Sequence, residues 1–164
     1  MEEKVIKVFD KLNIEYELIH HERIYKSSDR AGKDVDFKGA KCCKNLLVKE
    51  QKGENKGKLY LVSLTVDKRA NLREIEEKLN ISRLTFATED EMIENLGIKS
   101  GNASILNIIE KPHTNVTFVI DNNLLEYEKV AFHPNDNSMS IAFIPKHIED
   151  ILKEYNANYC YIDF

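Results

Sequence analysis

The chain has 164 residues, 42% of them hydrophobic and 32% charged, which favours one domain with its own core over two domains. No apolar run approaches the ~20 residues of a membrane span, and the charged amphipathic N-terminal segment lacks the apolar centre of a signal peptide. The net charge of −4, without a block of lysine and arginine, weighs against a sequence-specific DNA-binding protein. We therefore expect a cytoplasmic protein with neither a membrane nor a DNA partner.

The three cysteines, two of them adjacent at positions 42 and 43, match neither a disulfide framework nor a zinc site. Zinc sites use spaced pairs such as CxxC, so the pattern predicts a reduced compartment and no bound metal. The sequence also contains no Ser-His-Asp arrangement, HExxH motif, phosphate-binding P-loop or dinucleotide-binding glycine pattern. We therefore expect no cofactor.

Two helices are predicted near the N-terminus. Apolar residues at helical spacing predict the first from residue 2 to about residue 12. Ser27, Ser28 and Asp29 are suited to cap a second, short helix that ends near Gly32.

The first strands are predicted from short apolar runs. Residues 16–20 form one such run, and residues 41–50 and 58–66 form two more around a polar loop that contains glycine. That arrangement predicts an antiparallel hairpin at the centre of a sheet. The run at 41–50, KCCKNLLVKE, has the composition of a strand covered on both faces.

Capping residues mark the remaining helices. Asn71 begins one, and Thr88 with Glu91 three residues later forms a capping box for the next, which ends at Gly97. Pro145 at the N1 position is predicted to open the last helix.

The later strands complete the predicted sheet. Residues 97–109 begin glycine-rich and are predicted to become a strand, and a further strand ends at a turn at Asn122. Residues 129–143 are predicted to form two strands around the turn 134–137, and residues 159–164 to form the last strand. The strand before the turn at Asn122 covers residues 116–121, and another short strand is predicted at 83–87. Together the elements predict an α/β (α+β) fold, a single domain over 1–164 with a mixed, mostly antiparallel sheet flanked by helices.

Lys44 and Asn45 are unusual in the middle of an apolar strand. Burying an unpaired ammonium or amide group is costly, so each needs a partner or a function. A lysine there can lie with its stem on apolar surface and its ammonium on a carboxylate, or it can donate to a phosphate, an ester carbonyl or a developing oxyanion. Composition alone leaves both interpretations of Lys44 open, whereas Asn45 taken alone favours a hydrogen bond to a neighbouring loop.

His133 is the second candidate for chemistry. It ends the strand VAFH, and Pro134 biases it towards an extended conformation at a sheet edge, where pockets often open. A lone histidine in a turn favours a simple exposed position, but an imidazole can also serve as a general acid or base near neutral pH. Gly97 and Gly101 form a loop whose backbone can approach a ligand closely, although two glycines at that spacing are weak evidence.

Four segments carry a resemblance to a known family: CKNLLV (43–48), LYLVSL (59–64), GIKSGNAS (97–104) and VAFHPNDNSMSI (130–141). In this order they resemble the YbaK/ProX superfamily, the freestanding aminoacyl-tRNA deacylases related to the editing domain of bacterial prolyl-tRNA synthetase. The Lys-Asn pair and the FHPN turn are most similar to the ProX-type branch, which clears alanine wrongly attached to proline tRNA.

The resemblance implies a set of site residues. Lys44 corresponds to the family's essential lysine and His133 to the histidine of its FHP turn, and these are the expected catalytic residues. The expected substrate-binding residues come from the strand, the glycine loop and the turn: Asn45, Gly101, Ser104, Ile105 and Asn135. The chain departs from the family at Ile105, where relatives tend to have proline, and this puts the size of the amino-acid pocket in doubt.

The reaction implied by the resemblance is hydrolysis of the ester that joins a wrong amino acid to tRNA, with Ala-tRNA(Pro) as the expected substrate. The expected partner is the acceptor end of tRNA, with prolyl-tRNA synthetase as a second candidate. Two alternatives stay open at this point: a deacylase for Cys- or Ser-tRNA, and a non-catalytic module that binds tRNA ends or an amino acid.

Overall fold

The computed structural model describes residues 2–24 and 35–164. The short helix predicted from Ser27 to Gly32 lies outside the described residues. In the described ranges the helices are α1 (Glu2–Lys11), α2 (Leu72–Leu79), α3 (Glu89–Leu96) and α4 (His147–Glu154). The strands are β1 (Tyr16–His20), β2 (Lys41–Glu50), β3 (Leu59–Thr65), β4 (Leu84–Phe86), β5 (Thr117–Asp121), β6 (Val130–Phe132), β7 (Met139–Phe143) and β8 (Asn158–Ile162).

The strands of the described ranges form one sheet in the order β1-β7-β6-β2-β3-β5-β8, with β4 also paired to β2. Four of the pairings are antiparallel: β1 with β7, β6 with β7, β2 with β3, and β2 with β4. Three are parallel: β2 with β6, β3 with β5, and β5 with β8. The prediction of a mixed, mostly antiparallel sheet is therefore confirmed, as is the central β2–β3 hairpin.

The sheet is divided along one edge of β2. β3 pairs with the opposite edge from residue 43 to residue 49, so β6 and β4 share the remaining edge. β6 pairs with Lys41 and Cys42 at one end of this edge, and β4 pairs with Val48–Glu50 at the other end. Between them no strand of the described ranges pairs with residues 43–47 on this edge. A gap in the sheet is left there, beside Lys44 and Asn45.

The core lies on both faces of this sheet. All seven residues of β3 are buried, and alternate residues enter different clusters because successive side chains point to opposite faces. Leu59 and Leu61 join the larger cluster with α1 and α4, whereas Tyr60, Val62 and Leu64 join the smaller cluster with α2. A strand covered on both faces explains the uninterrupted apolar run of the sequence.

The predicted helix caps of α2 and α3 are present. The Asn71 side chain accepts from the amides of the first turn of α2, and the Thr88–Glu91 capping box is complete at α3. Gly97 ends α3 with φ of 71°, a left-handed conformation that favours glycine.

Three local predictions were wrong. Residues 105–109 form a buried 3₁₀ helix instead of a strand, since the Ser104 side chain caps its start, and a short buried apolar run fits either structure. Asp121 likewise caps a 3₁₀ helix at Asn122–Glu126 where a simple turn was expected. α4 begins at His147, with Pro145 in the turn before its N-cap. Among the described residues, no helix has the length and apolar character needed to cross a membrane.

Candidate functional site

A cleft of about 540 Å³ opens at the gap between β6 and β4. Its size falls within the range of roughly 300–1,000 Å³ that is typical of small-molecule sites. The polar residues of its wall are Lys44, Asn45, Ser100, His133 and Ser140. Most of the remaining wall is apolar: Ile24, Phe37, Cys42, Cys43, Leu46, Leu47, Val66, Phe86, Ala87, Met92, Ala103, Ala131 and Phe132.

Lys44 lies on the wall of this cleft and is partly exposed. The strand was expected to be covered on both faces, but its first six residues are only partly buried because the sheet is open beside them. The burial cost that the sequence suggested is therefore largely absent. Among the ion pairs of the described residues none involves Lys44, so within these ranges no carboxylate competes with a ligand for its ammonium group.

Asn45 points to the opposite face of β2 from Lys44 and also lines the cleft. Its Oδ1 accepts a hydrogen bond of 2.6 Å from Oγ of Ser63, its partner on β3. The expected partner was a neighbouring loop, and the actual one is a neighbouring strand. Within the part of the chain that the structure describes, the amide Nδ2 of Asn45 donates no hydrogen bond and can serve a ligand.

His133 contributes an imidazole at the other side of the cleft. Its Nδ1 lies 2.9 Å from the carbonyl oxygen of Met139. A carbonyl only accepts, so Nδ1 carries the proton and Nε2 keeps its lone pair. Burial lowers the pKa of His133, and the nearby His21 lowers it further against the opposing effects of the Met139 carbonyl and Asp136. At neutral pH the ring is therefore an uncharged acceptor.

His21 and Ser140 form a pair beside His133 that the sequence did not predict. The ring of His21 lies 5.9 Å from that of His133, and its Nε2 is 2.9 Å from Oγ of Ser140. The Nδ1 of His21 lies 2.7 Å from the carbonyl oxygen of Glu22, so the Ser140 hydroxyl donates to Nε2. Only the pairing of β1 with β7 brings these residues together, and no local pattern signals it.

Gly101 lines the cleft with φ of 90°, a left-handed conformation in which a side chain would be strained. Its backbone can therefore approach a ligand closely. The other three predicted binding residues, Ser104, Ile105 and Asn135, have no exposed surface and lie behind the cleft wall. Ile105 belongs to the larger core cluster, so its side chain does not determine the shape of the cleft.

A buried network holds these hidden residues in place. Oγ of Ser104 accepts from the amide of Leu106, and the amide of Ser104 donates to Oδ1 of Asn107 at 2.7 Å. Nδ2 of Asn107 donates to Oδ1 of Asn135 at 2.6 Å. Asn135 itself adopts φ of 63° in the turn after His133. The network thus joins the glycine loop to the turn that carries the histidine.

The cysteines of the cleft are unsuited to nucleophilic attack. Burial raises the pKa of Cys42 to about 11 and raises the pKa of Cys43 well above its ordinary value. Both are therefore thiols at neutral pH, whereas the thiolate is the reactive form. In the described ranges, no three His, Cys, Asp or Glu side chains gather into a group that could hold a metal ion.

The mixed sheet thus opens beside its central strand β2, and a lysine and a neutral histidine line the same cleft there. The sequence profile of the aminoacyl-tRNA editing domain matches residues 21–151, and the chain therefore belongs to this family. The resemblance to the YbaK/ProX superfamily is confirmed, and the chain is an ester hydrolase of the aminoacyl-tRNA deacylase class.

Two curated relatives are similar over most of their length. The chain is 31% identical over 149 residues to the prolyl-tRNA editing protein ProX of Acetoanaerobium sticklandii, covering 91% of this chain and 88% of that protein. It is 36% identical over 124 residues to prolyl-tRNA synthetase associated domain-containing protein 1 of Xenopus laevis, covering 73% and 71%.

A solved structure shares the fold. It is the crystal structure of a protein described as a candidate trans-editing enzyme for prolyl tRNA synthetase, and it matches with a TM-score of 0.66 and 17% identity. The match covers 99% of this chain and 96% of that one. At this level of identity the likeness shows the fold alone.

Proposed function

We propose that this protein is a trans-editing deacylase that hydrolyses the ester of mischarged tRNA, with Ala-tRNA(Pro) as its substrate. The observation that carries the proposal is the convergence of Lys44, His133 and Gly101 on one cleft at the open edge of β2. The name of the relative from A. sticklandii, a prolyl-tRNA editing protein, supports the choice of prolyl tRNA. Prolyl-tRNA synthetase is a candidate partner on the same ground.

The residues of the cleft suggest a mechanism in which water is the nucleophile. Lys44 has no carboxylate partner among the described residues, so its ammonium can stabilise the negative charge that develops on the ester carbonyl. The lone pair on Nε2 of His133 can accept a hydrogen bond from the attacking water and orient it. Asn45 and the backbone of Gly101 position the substrate.

The logic of the reaction is that of a second sieve. A synthetase pocket cannot strongly reject a smaller side chain, so a separate site removes what a small cavity admits. A net charge of −4 suits a protein that takes only the acceptor end of tRNA and makes few phosphate contacts. We expect weak, salt-sensitive binding of the tRNA body.

The proposal is tested with a panel of tRNAs charged with alanine, serine, cysteine and proline. The expected result is rapid release of alanine from tRNA(Pro) with slow release of proline. Faster release of cysteine or serine would move the assignment to another mischarged tRNA. Binding of charged tRNA without release of any amino acid would show a non-catalytic module instead.

A further inference from the structure

Phe86 is an exposed aromatic residue at the edge of the cleft. It is the last residue of β4, lines the cleft, and has 57% of its surface exposed. A single exposed apolar side chain is ordinary in a folded protein, so exposure alone assigns it no function. The position of Phe86 relative to Lys44 is what points to a function.

Phe86 lies on the same face of the sheet as Lys44. Its partner across the β2–β4 pairing is Val48, and paired residues on neighbouring strands share a face. Lys44 is four residues before Val48 on β2, and side chains at even spacing share a face. The two positions are therefore separated by roughly 13 Å along the strand. That separation is comparable with the length of a nucleoside that carries an aminoacyl group.

The backbone around Phe86 is fixed on both sides. Val48 of β2 pairs with Phe86 itself, and the amide of Ala87 donates to the carbonyl oxygen of Leu47 at 2.9 Å. Thr88, two residues on, is the N-cap of α3. A ring held in this way is a pre-organised platform, because little backbone freedom is lost when a ligand contacts it.

The other two phenylalanines of the cleft wall, Phe37 and Phe132, are already engaged, since Phe132 is buried and its ring lies 5.9 Å from that of Phe143. Phe37 is partly buried, and its ring lies 5.9 Å from that of His21.

Lys49, the residue after Val48 on β2, pairs with Thr85, points to the opposite face of the sheet from Phe86, and is bound to Glu91 at 2.8 Å. An exposed, uncharged ring suits the flat face of a base better than it suits a phosphate or an acidic peptide.

We propose that Phe86 stacks on the base of the 3′-terminal nucleotide of the aminoacyl-tRNA whose ester lies beside Lys44. The inference rests on the proposed function and extends it from the ester to the base. A cleft of about 540 Å³ has more room than an alanyl group fills, so part of the terminal nucleoside enters it as well. Stacking on one ring tolerates any base, which fits an end that all tRNAs share.

The test compares two alanyl minihelices, one with its normal terminal base and one with an abasic terminal nucleotide. With the normal substrate, Phe86→Ala is expected to raise KM about 5- to 150-fold and to change kcat less than twofold. Phe86→Tyr should restore KM, and Phe86→Leu, which keeps apolar contact without a π-face, should not. Leu125→Ala is the matched control, because Leu125 is exposed to 45% and lies outside the cleft wall.

With the abasic substrate the wild-type KM should already be raised, and Phe86→Ala should raise it no further. If Phe86→Ala raises KM equally for both substrates, or for neither, the inference is overturned. Binding of a non-hydrolysable amide analogue of each minihelix is measured as well, so that stacking can be tested even if the proposed deacylase function is wrong. If no ester is hydrolysed, loss of base-dependent binding in Phe86→Ala still supports stacking, whereas equal binding of the two analogues overturns it.

Discussion

Asn107 and Asn135 are joined by a buried hydrogen bond of 2.6 Å, from Nδ2 of Asn107 to Oδ1 of Asn135. Neither residue has exposed surface. Asn107 lies in the 3₁₀ helix that follows the glycine loop, and Asn135 lies two residues after His133. The bond thus connects the two segments that carry Gly101 and His133. We infer that it maintains the shape of the cleft without contact with the substrate.

Asn107→Ala is expected to lower the free energy of unfolding by about 2–4 kcal/mol, because it leaves the Ser104 amide and Oδ1 of Asn135 buried without their partners. Chemical denaturation measures the change. Asn122→Ala is the control, since Asn122 bonds Asp163 at an exposed position and should change stability by less than about 0.5 kcal/mol. Equal stability of the two variants would show that the network contributes nothing.

The pH dependence of deacylation should reflect His133. Burial lowers the pKa of this ring, so its neutral form persists below the ordinary value of about 6.5. Ionisation of His133 should therefore not change kcat/KM above neutral pH. On acidification kcat/KM should fall, with a midpoint below about pH 6.5. His133→Gln should remove this acidic limb and lower the plateau by about 10²–10⁴-fold.

Measurement requires subtraction of spontaneous ester hydrolysis in enzyme-free samples at each pH. His113→Gln is the matched control, because His113 is an exposed histidine outside the cleft wall. This variant should keep both the acidic limb and the plateau of the kcat/KM profile. A limb with its midpoint above 6.5, or one that survives in His133→Gln, would assign the titration to another group.

Ile105→Pro should leave substrate preference unchanged. Ser104 before it is already extended, with φ of −159° and ψ of 151°, and the first helical position tolerates proline. The Ile105 side chain faces the core, so the variant should lose about 1–3 kcal/mol of stability and keep its ratio of alanyl to prolyl ester hydrolysis within twofold. A change of that ratio beyond fivefold in a panel assay would mean that this position determines the size of the amino-acid pocket after all.

Local signals in the sequence were sufficient for much of the fold. The Thr88–Glu91 capping box, the Asn71 cap and the β2–β3 hairpin each depend on residues close in sequence, and each is present. Residues 105–109 were misassigned because a short, fully buried apolar run has the same composition in a strand and in a 3₁₀ helix.

The site depends on pairings that no local pattern specifies. Lys44 looked buried because its neighbours are apolar, but the division of one β2 edge between β6 and β4 opens the sheet beside it. The contact between His21 and Ser140 requires β1 to pair with β7. The resemblance to a family predicted Lys44 and His133 as site residues, and it gave no indication of Phe86.

The most direct measurement of the central claim is the rate of deacylation of Ala-tRNA(Pro) by wild type, Lys44→Ala and Lys49→Ala. Lys49 lies on the same strand and is bound to Glu91, so its removal should cost less than about 1 kcal/mol of stability and leave the rate near wild type. Lys44→Ala should lower kcat/KM by about 10²–10³-fold while the protein remains folded. A near-wild-type rate in Lys44→Ala would contradict the claim that this lysine stabilises the reacting ester.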